Sequence, residues 1–139
     1  DINPYAIRCA RENAKLNGVA HKMSFVQGDL FAPIRFGERF SWILFNAPYL
    51  PYEKAEGKCS WLERAWSGGA SGRNVIDNFI CGVPGHLESN GVVFLMQSTL
   101  SGVEDSLNEF RKQGLVATVV AKRALPFFET IALVRAECL

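Results

Sequence analysis

An α/β fold, with a mostly parallel sheet closed by an antiparallel hairpin, is what this sequence predicts on three observations. Helical and extended patterns alternate through the middle of the chain, as they do in β–α–β units. The runs Trp42-Ile43-Leu44-Phe45 and Val92-Val93-Phe94-Leu95-Met96 are continuously apolar, like strands covered on both faces. The last two extended runs, 115–122 and 128–136, are separated by a short turn at Leu125-Pro126, so they pair antiparallel.

The elements follow in order. Asn3 caps a helix whose first position is Pro4, where the N–H that proline lacks would be unpaired anyway. Ala6, Ala10 and Ala14 recur at helical spacing, and Asn17-Gly18 ends the helix. Residues 22–27 read as a short strand closed by Gly28-Asp29, and residues 30–39 as a loop holding Pro33 and Gly37. The strand at 40–45 comes next. Residues 50–72 contain proline, several glycines, two tryptophans and mixed charges without periodicity, and so long a connection is usually functional. Val75, Ile76, Phe79, Ile80 and Val83 form a helical stripe ending near Pro84, and an Asn90-Gly91 turn leads into the strand at 92–96. Val103, Leu107 and Phe110 mark a helix over 101–113, stopped by Gly114.

Composition narrows the class. The 139 residues are 48% apolar and 21% charged with a net charge of +1, which predicts a single soluble globular domain over 1–139. No apolar run approaches the roughly 18 residues of a membrane span, and no secretory signal is visible, so cytoplasm and no membrane partner are expected. The near-neutral balance argues against a general attraction to nucleic acid. Cys9, Cys59, Cys81 and Cys138 are scattered without a CxxC pair, and His21 and His86 stand alone, so no metal site is expected. Cys9 and Cys81 fall in helical patterns and are expected to pack as small hydrophobes.

The chemistry lies in Asn46-Ala47-Pro48-Tyr49, directly after an apolar strand. The nitrogen of an amide or exocyclic amine has a delocalised lone pair and attacks a methyl donor poorly. A site that methylates it must accept both N–H groups, fix the nitrogen in line, and tolerate developing positive charge. Asn46 offers a side-chain carbonyl and residue 47 its backbone carbonyl. Pro48 stiffens the turn, and Tyr49 gives an aromatic face for the planar group. The same four residues also suit an ordinary proline-containing turn.

Five segments occur in the order and approximate spacing of one known group: Asp1-Ile2-Asn3-Pro4, Gly28-Asp29-Leu30-Phe31, the run from Phe45 through Asn46-Ala47-Pro48-Tyr49 to Leu50-Pro51, Gly68-Gly69-Ala70-Ser71-Gly72-Arg73, and Gln97-Ser98. On these the chain resembles the class I S-adenosylmethionine-dependent methyltransferases, and within them the HemK/PrmC-related release-factor glutamine methyltransferases in their small archaeal and eukaryotic form. The resemblance implies a Rossmann-like sheet, S-adenosylmethionine as cofactor, and methylation of a glutamine side-chain amide in a peptide-chain release factor. It also makes a small zinc-containing activator subunit a plausible partner.

Residue by residue, Asp1 matches the acceptor of the cofactor's ribose hydroxyls, a task suited to charge-assisted bonds. A solvated Asp at a helix N-terminus explains it too. Ile2 would touch the adenine face or fill a core position. Asp29 matches the acceptor of the adenine amino group with Leu30 beside the ring, and an ordinary turn residue is the competing reading. Asn46, Ala47, Pro48 and Tyr49 match the substrate clamp, with Asn46 also bordering the cofactor. Each glycine of 68–72 reads, taken singly, as part of a flexible turn before a helix.

Two departures stand out. The family's usual clamp is Asn-Pro-Pro-Tyr, whereas residue 47 is alanine; the carbonyl survives, but about 0.4–1 kcal/mol of rigidity is lost. The family's first strand, its glycine-rich cofactor loop and most of its second strand have no counterpart in this sequence. From these gaps a partial methyltransferase domain is expected, N-terminally truncated and lacking the middle of its sheet, with exposed strand edges. As it stands, such a chain is expected to be inactive. An adenine amino-group methyltransferase acting on DNA or RNA is the alternative enzyme, because the clamp suits an adenine amine as well. Against it, Lys54, Lys58, Arg64 and Arg73 are nearly balanced by Glu53, Glu56 and Glu63. A truncated, non-catalytic binding module is the third reading.

Overall fold

The computed structural model describes residues 1–52, 59–126 and 129–138, and divides into two compact units, Asp1–Glu38 and Arg39–Leu139. In the first unit, helix α1 (Pro4–Leu16) begins as the sequence predicts. The Asn3 side chain accepts from the Tyr5 N–H at 2.9 Å, and Gly18 leaves the helix at a φ of +69°. Ala14 is buried, and the Arg11 guanidinium lies 6.0 Å from the centre of the Phe25 ring.

The strand expected at 22–27 does not form. A 3-10 turn covers Ala20–Lys22, and residues 23–27 run extended without strand pairing. A strand needs a ladder, and among the described residues this segment pairs with a single residue. The Asp1 N–H group donates to the Val26 carbonyl at 3.2 Å, and the Gly28 N–H to the Asp1 carbonyl at 3.1 Å. That is the pattern of parallel pairing, confined to a single step.

The second unit holds a four-stranded sheet of β1 (Phe40–Asn46), β2 (Leu87–Ser98), β3 (Leu115–Ala124) and β4 (Thr130–Cys138), ordered β1-β2-β4-β3. β1 and β2 are parallel, while β4 is antiparallel to both β2 and β3. Three strands therefore share a direction and only β4 opposes them, as expected of a mostly parallel sheet with a closing hairpin. Phe128, placed in the last strand by its pattern, lies outside the described residues.

Helix α3 (Asn74–His86) connects β1 to β2, and α4 (Val103–Lys112) connects β2 to β3. Ile76, Phe79, Ile80 and Val83 of α3 are buried, as are Leu107 and Phe110 of α4 and Val93, Leu95, Val134 and Ala136 of the sheet. Phe45 stacks on Phe79 with ring centres 4.3 Å apart, fixing α3 against β1. Burial of each such side chain contributes roughly 1.5–3 kcal/mol.

Four local expectations change. α3 runs past Pro84 to His86. Arg39 takes up the carbonyls there, donating to those of Pro84 at 3.1 Å and Leu87 at 2.7 Å. The Asn90-Gly91 segment is absorbed into β2 where the register shifts between Phe40 and Trp42 of β1. β1, at one edge of the sheet, is covered on one face only: Ile43 is buried while Trp42 is 65% and Leu44 73% exposed. Cys9 and Cys81 are exposed, because each sits one residue, about 100° of turn, away from its helix's buried stripe. Among the described residues no helix is long and apolar enough to cross a membrane.

Candidate functional site

The candidate residues fall in both units. Asn46, the last residue of β1, pairs with Met96 of β2, and the next N–H, that of Ala47, donates to the Met96 carbonyl at 3.4 Å. Asn46 is exposed, Ala47 is buried, and Pro48 and Tyr49 are half-buried. Among the described residues, neither the Asn46 side-chain carbonyl nor the Ala47 backbone carbonyl receives a hydrogen bond. Two acceptors thus stand unpartnered on consecutive residues at the carboxyl end of a strand, where ligands of open α/β sheets bind. Burial, and secondly the charge of Glu129, push the Tyr49 phenol above its ordinary pKa, so it remains a neutral hydrogen-bond donor.

The chain after the clamp is pinned. The Leu50 N–H donates to the Trp66 carbonyl at 3.0 Å and the Gly68 N–H to the Leu50 carbonyl at 2.9 Å, making a parallel bridge between Leu50 and Ser67. Between them a four-residue helix, α2 (Trp61–Arg64), carries a capping box made by Ser60 and Glu63. The Tyr52 and Trp66 rings meet at 4.8 Å.

Residues 68–72 form a turn before α3, as the sequence predicts, and their glycines are sterically required. Gly69 and Gly72 have φ of +81° and +75°, which side chains disfavour. A Cβ on Gly68 would collide with the Gly72 carbonyl, and one on Gly72 with the Tyr49 carbonyl. These glycines are required by close backbone approach beneath the clamp.

In the first unit the backbone brings Asp1 beside the Gly28-Asp29 turn. The Asp1 carboxylate accepts from the Asn3 N–H at 2.8 Å through one oxygen, Oδ1. Asp29 is exposed, and its carboxylate has no partner among the described residues. Leu30 has a φ of +45°, a conformation that costs a non-glycine residue on the order of 1–3 kcal/mol and gathers at functional sites. Ile2 is exposed rather than in a core. The Asp1 and Asp29 carboxylates thus lie on neighbouring segments, each followed by an apolar residue, the exposed Ile2 and the half-buried Leu30.

Sequence reasoning missed two participants. Arg73 flanks the N-terminus of α3, where the helix dipole disfavours a cation. That unfavourable placement was the available signal that other groups hold it. Its guanidinium donates to the carbonyls of Ser101 at 2.6 Å and Gly102 at 2.7 Å, and to Asp77 at 2.6 Å. Glu129 gave no signal, because its approach to Tyr49 depends on the hairpin's packing. Of the loop charges weighed earlier, Glu53, Lys54, Glu56 and Lys58 lie outside the described residues. Among the described residues no three His, Cys, Asp or Glu side chains converge as a metal site would need.

No protein-family model matches the chain. It is 41% identical over 133 residues to a proposed protein N5-glutamine methyltransferase of Methanocaldococcus jannaschii, covering 96% of this chain and 66% of that protein. It is 33% identical over 125 residues to the human methyltransferase HEMK2, covering 88% of this chain and 58% of that protein. Bacterial proteins named release factor glutamine methyltransferases match over shorter spans. Among solved structures, the Mtq2-Trm112 complex of E. cuniculi superposes with a TM-score of 0.66 at 21% identity, covering 91% of this chain and 68% of the other, a likeness of fold. The chain thus spans less than two thirds of the length of the curated relatives it matches first. It belongs to the HemK/PrmC-related release-factor glutamine methyltransferases, a family of class I S-adenosylmethionine-dependent methyltransferases.

Proposed function

We propose that the protein carrying this sequence transfers a methyl group from S-adenosylmethionine to the side-chain amide nitrogen of a glutamine in a translation release factor. The observation that carries this reading is the pair of unpartnered acceptors at Asn46 and Ala47. Their oxygens accept the two amide N–H groups, which points the nitrogen lone pair out of the clamp and spreads the charge that develops on it. Pro48 and Tyr49 confine the amide plane. Asp1 and Asp29 would hold the ribose hydroxyls and the adenine amino group, with Ile2 and Leu30 against the ring. When bound, the cofactor supplies a methyl carried on a sulfonium.

The relatives' names support the substrate, since several are named for release factors. They also support a cytoplasmic setting, where translation takes place. We read both compact units as parts of one methyltransferase domain, because the match to the archaeal relative runs through both. The solved Mtq2-Trm112 complex supports a small activator subunit as partner, and the family resemblance adds zinc to it. Nucleic acid fits less well: Arg73 is bound to protein carbonyls, and Arg64 lies over the Trp61 ring at 5.7 Å.

The test is incubation of the full-length protein with methyl-labelled cofactor and a release factor bearing a Gly-Gly-Gln segment. Label on that glutamine is expected. A folded enzyme that leaves it unlabelled, or that labels adenine in an oligonucleotide instead, overturns the reading.

A further inference from the structure

The second unit closes a ring of hydrogen bonds around the clamp. On the upstream side the Ala47 N–H is held by the Met96 carbonyl. Downstream, residues 50–52 are tied to 66–69, the last bond running from the Tyr52 N–H to the Gly69 carbonyl at 2.8 Å. The following turn is shut by Gly72 N–H to Gly69 carbonyl at 3.0 Å and Asn74 N–H to Gly68 carbonyl at 2.9 Å. Arg73 joins this turn to the segment after β2, through the Ser101 and Gly102 carbonyls and the Ser106 hydroxyl at 3.3 Å. That segment is fastened to β2 in turn: Gln97, fully buried, donates to the Ser101 hydroxyl at 3.2 Å, and the hydroxyl donates to the Ser98 carbonyl at 2.8 Å. β2 returns to β1 through the Asn46–Met96 pairing.

Only 14% of the Arg73 side chain is exposed, so water replaces its bonds poorly. One planar fork bridges carbonyls and a carboxylate at once, which a lysine cannot do. We propose that Arg73 is a positioning residue of the substrate clamp, closing this ring and so supplying rigidity that Ala47, in place of a second proline, leaves out. The proposal rests on the reading of Asn46–Tyr49 as a substrate clamp.

Arg73→Lys and Asp77→Asn in the full-length protein test it. With Arg73→Lys, kcat for glutamine methylation is expected to fall roughly 10- to 100-fold, the scale of a small misplacement, with the cofactor KM unchanged. Asp77→Asn keeps the carbonyl contacts and loses only the charge-assisted one, so a smaller fall in kcat than with Arg73→Lys is expected. Amide exchange at Leu50 and Gly68 should quicken in Arg73→Lys while Val93 and Leu95 of the core hold. Unchanged exchange at Leu50 and Gly68, or equal quickening in the core, overturns the proposal, as does full kcat in folded Arg73→Lys. If the wild-type protein methylates no glutamine, the functional reading falls, and the exchange pattern still decides whether Arg73 holds this segment.

Discussion

The carbonyl oxygen of Tyr49 sits so close to the Cα of Gly72 that any side chain at position 72 would overlap it. The clamp and the glycine turn are therefore one packed object, and the turn's backbone sets where the clamp's last residue lies. Gly72→Ala meets both this overlap and a φ of +75°, so a loss of about 1–3 kcal/mol is expected in a urea midpoint, with methyl transfer reduced. Gly85→Ala is the contrast. It lies within α3 with open space around it, and a gain of about 0.4–1 kcal/mol is expected.

Asn46 is exposed and makes no side-chain hydrogen bond with the described residues, so Asn46→Ala should leave the melting temperature near wild type. The same change removes one of the two amide acceptors. A fall in kcat of about 10²–10³ is expected, by analogy with loss of one oxyanion-hole group. Steady-state kinetics on the release-factor substrate check it.

The Tyr49 phenol should ionise later than an unperturbed tyrosine, raised first by burial and then by Glu129. Its folded pKa lies above the unfolded value of about 10, so the stability it contributes is complete below that pH. That contribution is lost as pH climbs through the folded pKa. Absorbance titration should show a late phenolate that Tyr49→Phe abolishes. Glu129→Gln should shift it down without restoring the ordinary value, because burial is the larger cause.

Phe79 is buried and stacked on Phe45, fixing α3 beneath the strand that carries Asn46. Phe79→Ala should cost about 3–5 kcal/mol in chemical denaturation, the usual range for a buried aromatic.

Asp29 has an unpartnered carboxylate beside the turn tied to Asp1. Asp29→Ala in the full-length protein should weaken cofactor binding about tenfold, the loss of one charge-assisted hydrogen bond, as read by calorimetry. Unaltered affinity would remove Asp29 from the cofactor site.

Much of the fold was legible because local signals and burial agreed. Asn3-Pro4 announced α1, the stripes of α3 and α4 matched their buried faces, and the turn at Leu125-Pro126 separates two strands that do pair. Failures came where an element's state depends on what lies beside it. Residues 22–27 have strand-like composition but pair, among the described residues, with Asp1 alone, and β1 carries the apolar run 42–45 with one face open. The placement of Asn46 to Tyr49 directly after an apolar strand was legible, since it follows from local pattern. The ring behind it was not, because Tyr49, Gly72, Arg73 and Ser101 are brought together by long-range backbone contacts that leave no periodic trace.

Sequence alone determined the order of helices and strands, the pair of acceptors at Asn46 and Ala47, and the family to which the chain is kin. Those properties follow from side-chain chemistry and short-range spacing, which any conformation of the chain carries. Tertiary structure decided that the glycines of 68–72 are sterically compelled, that Arg73 ties the turn before α3 to the segment after β2, and that Glu129 acts on Tyr49. Each of these is a relation between distant segments, and it exists only once burial has removed the water that would otherwise satisfy the same groups.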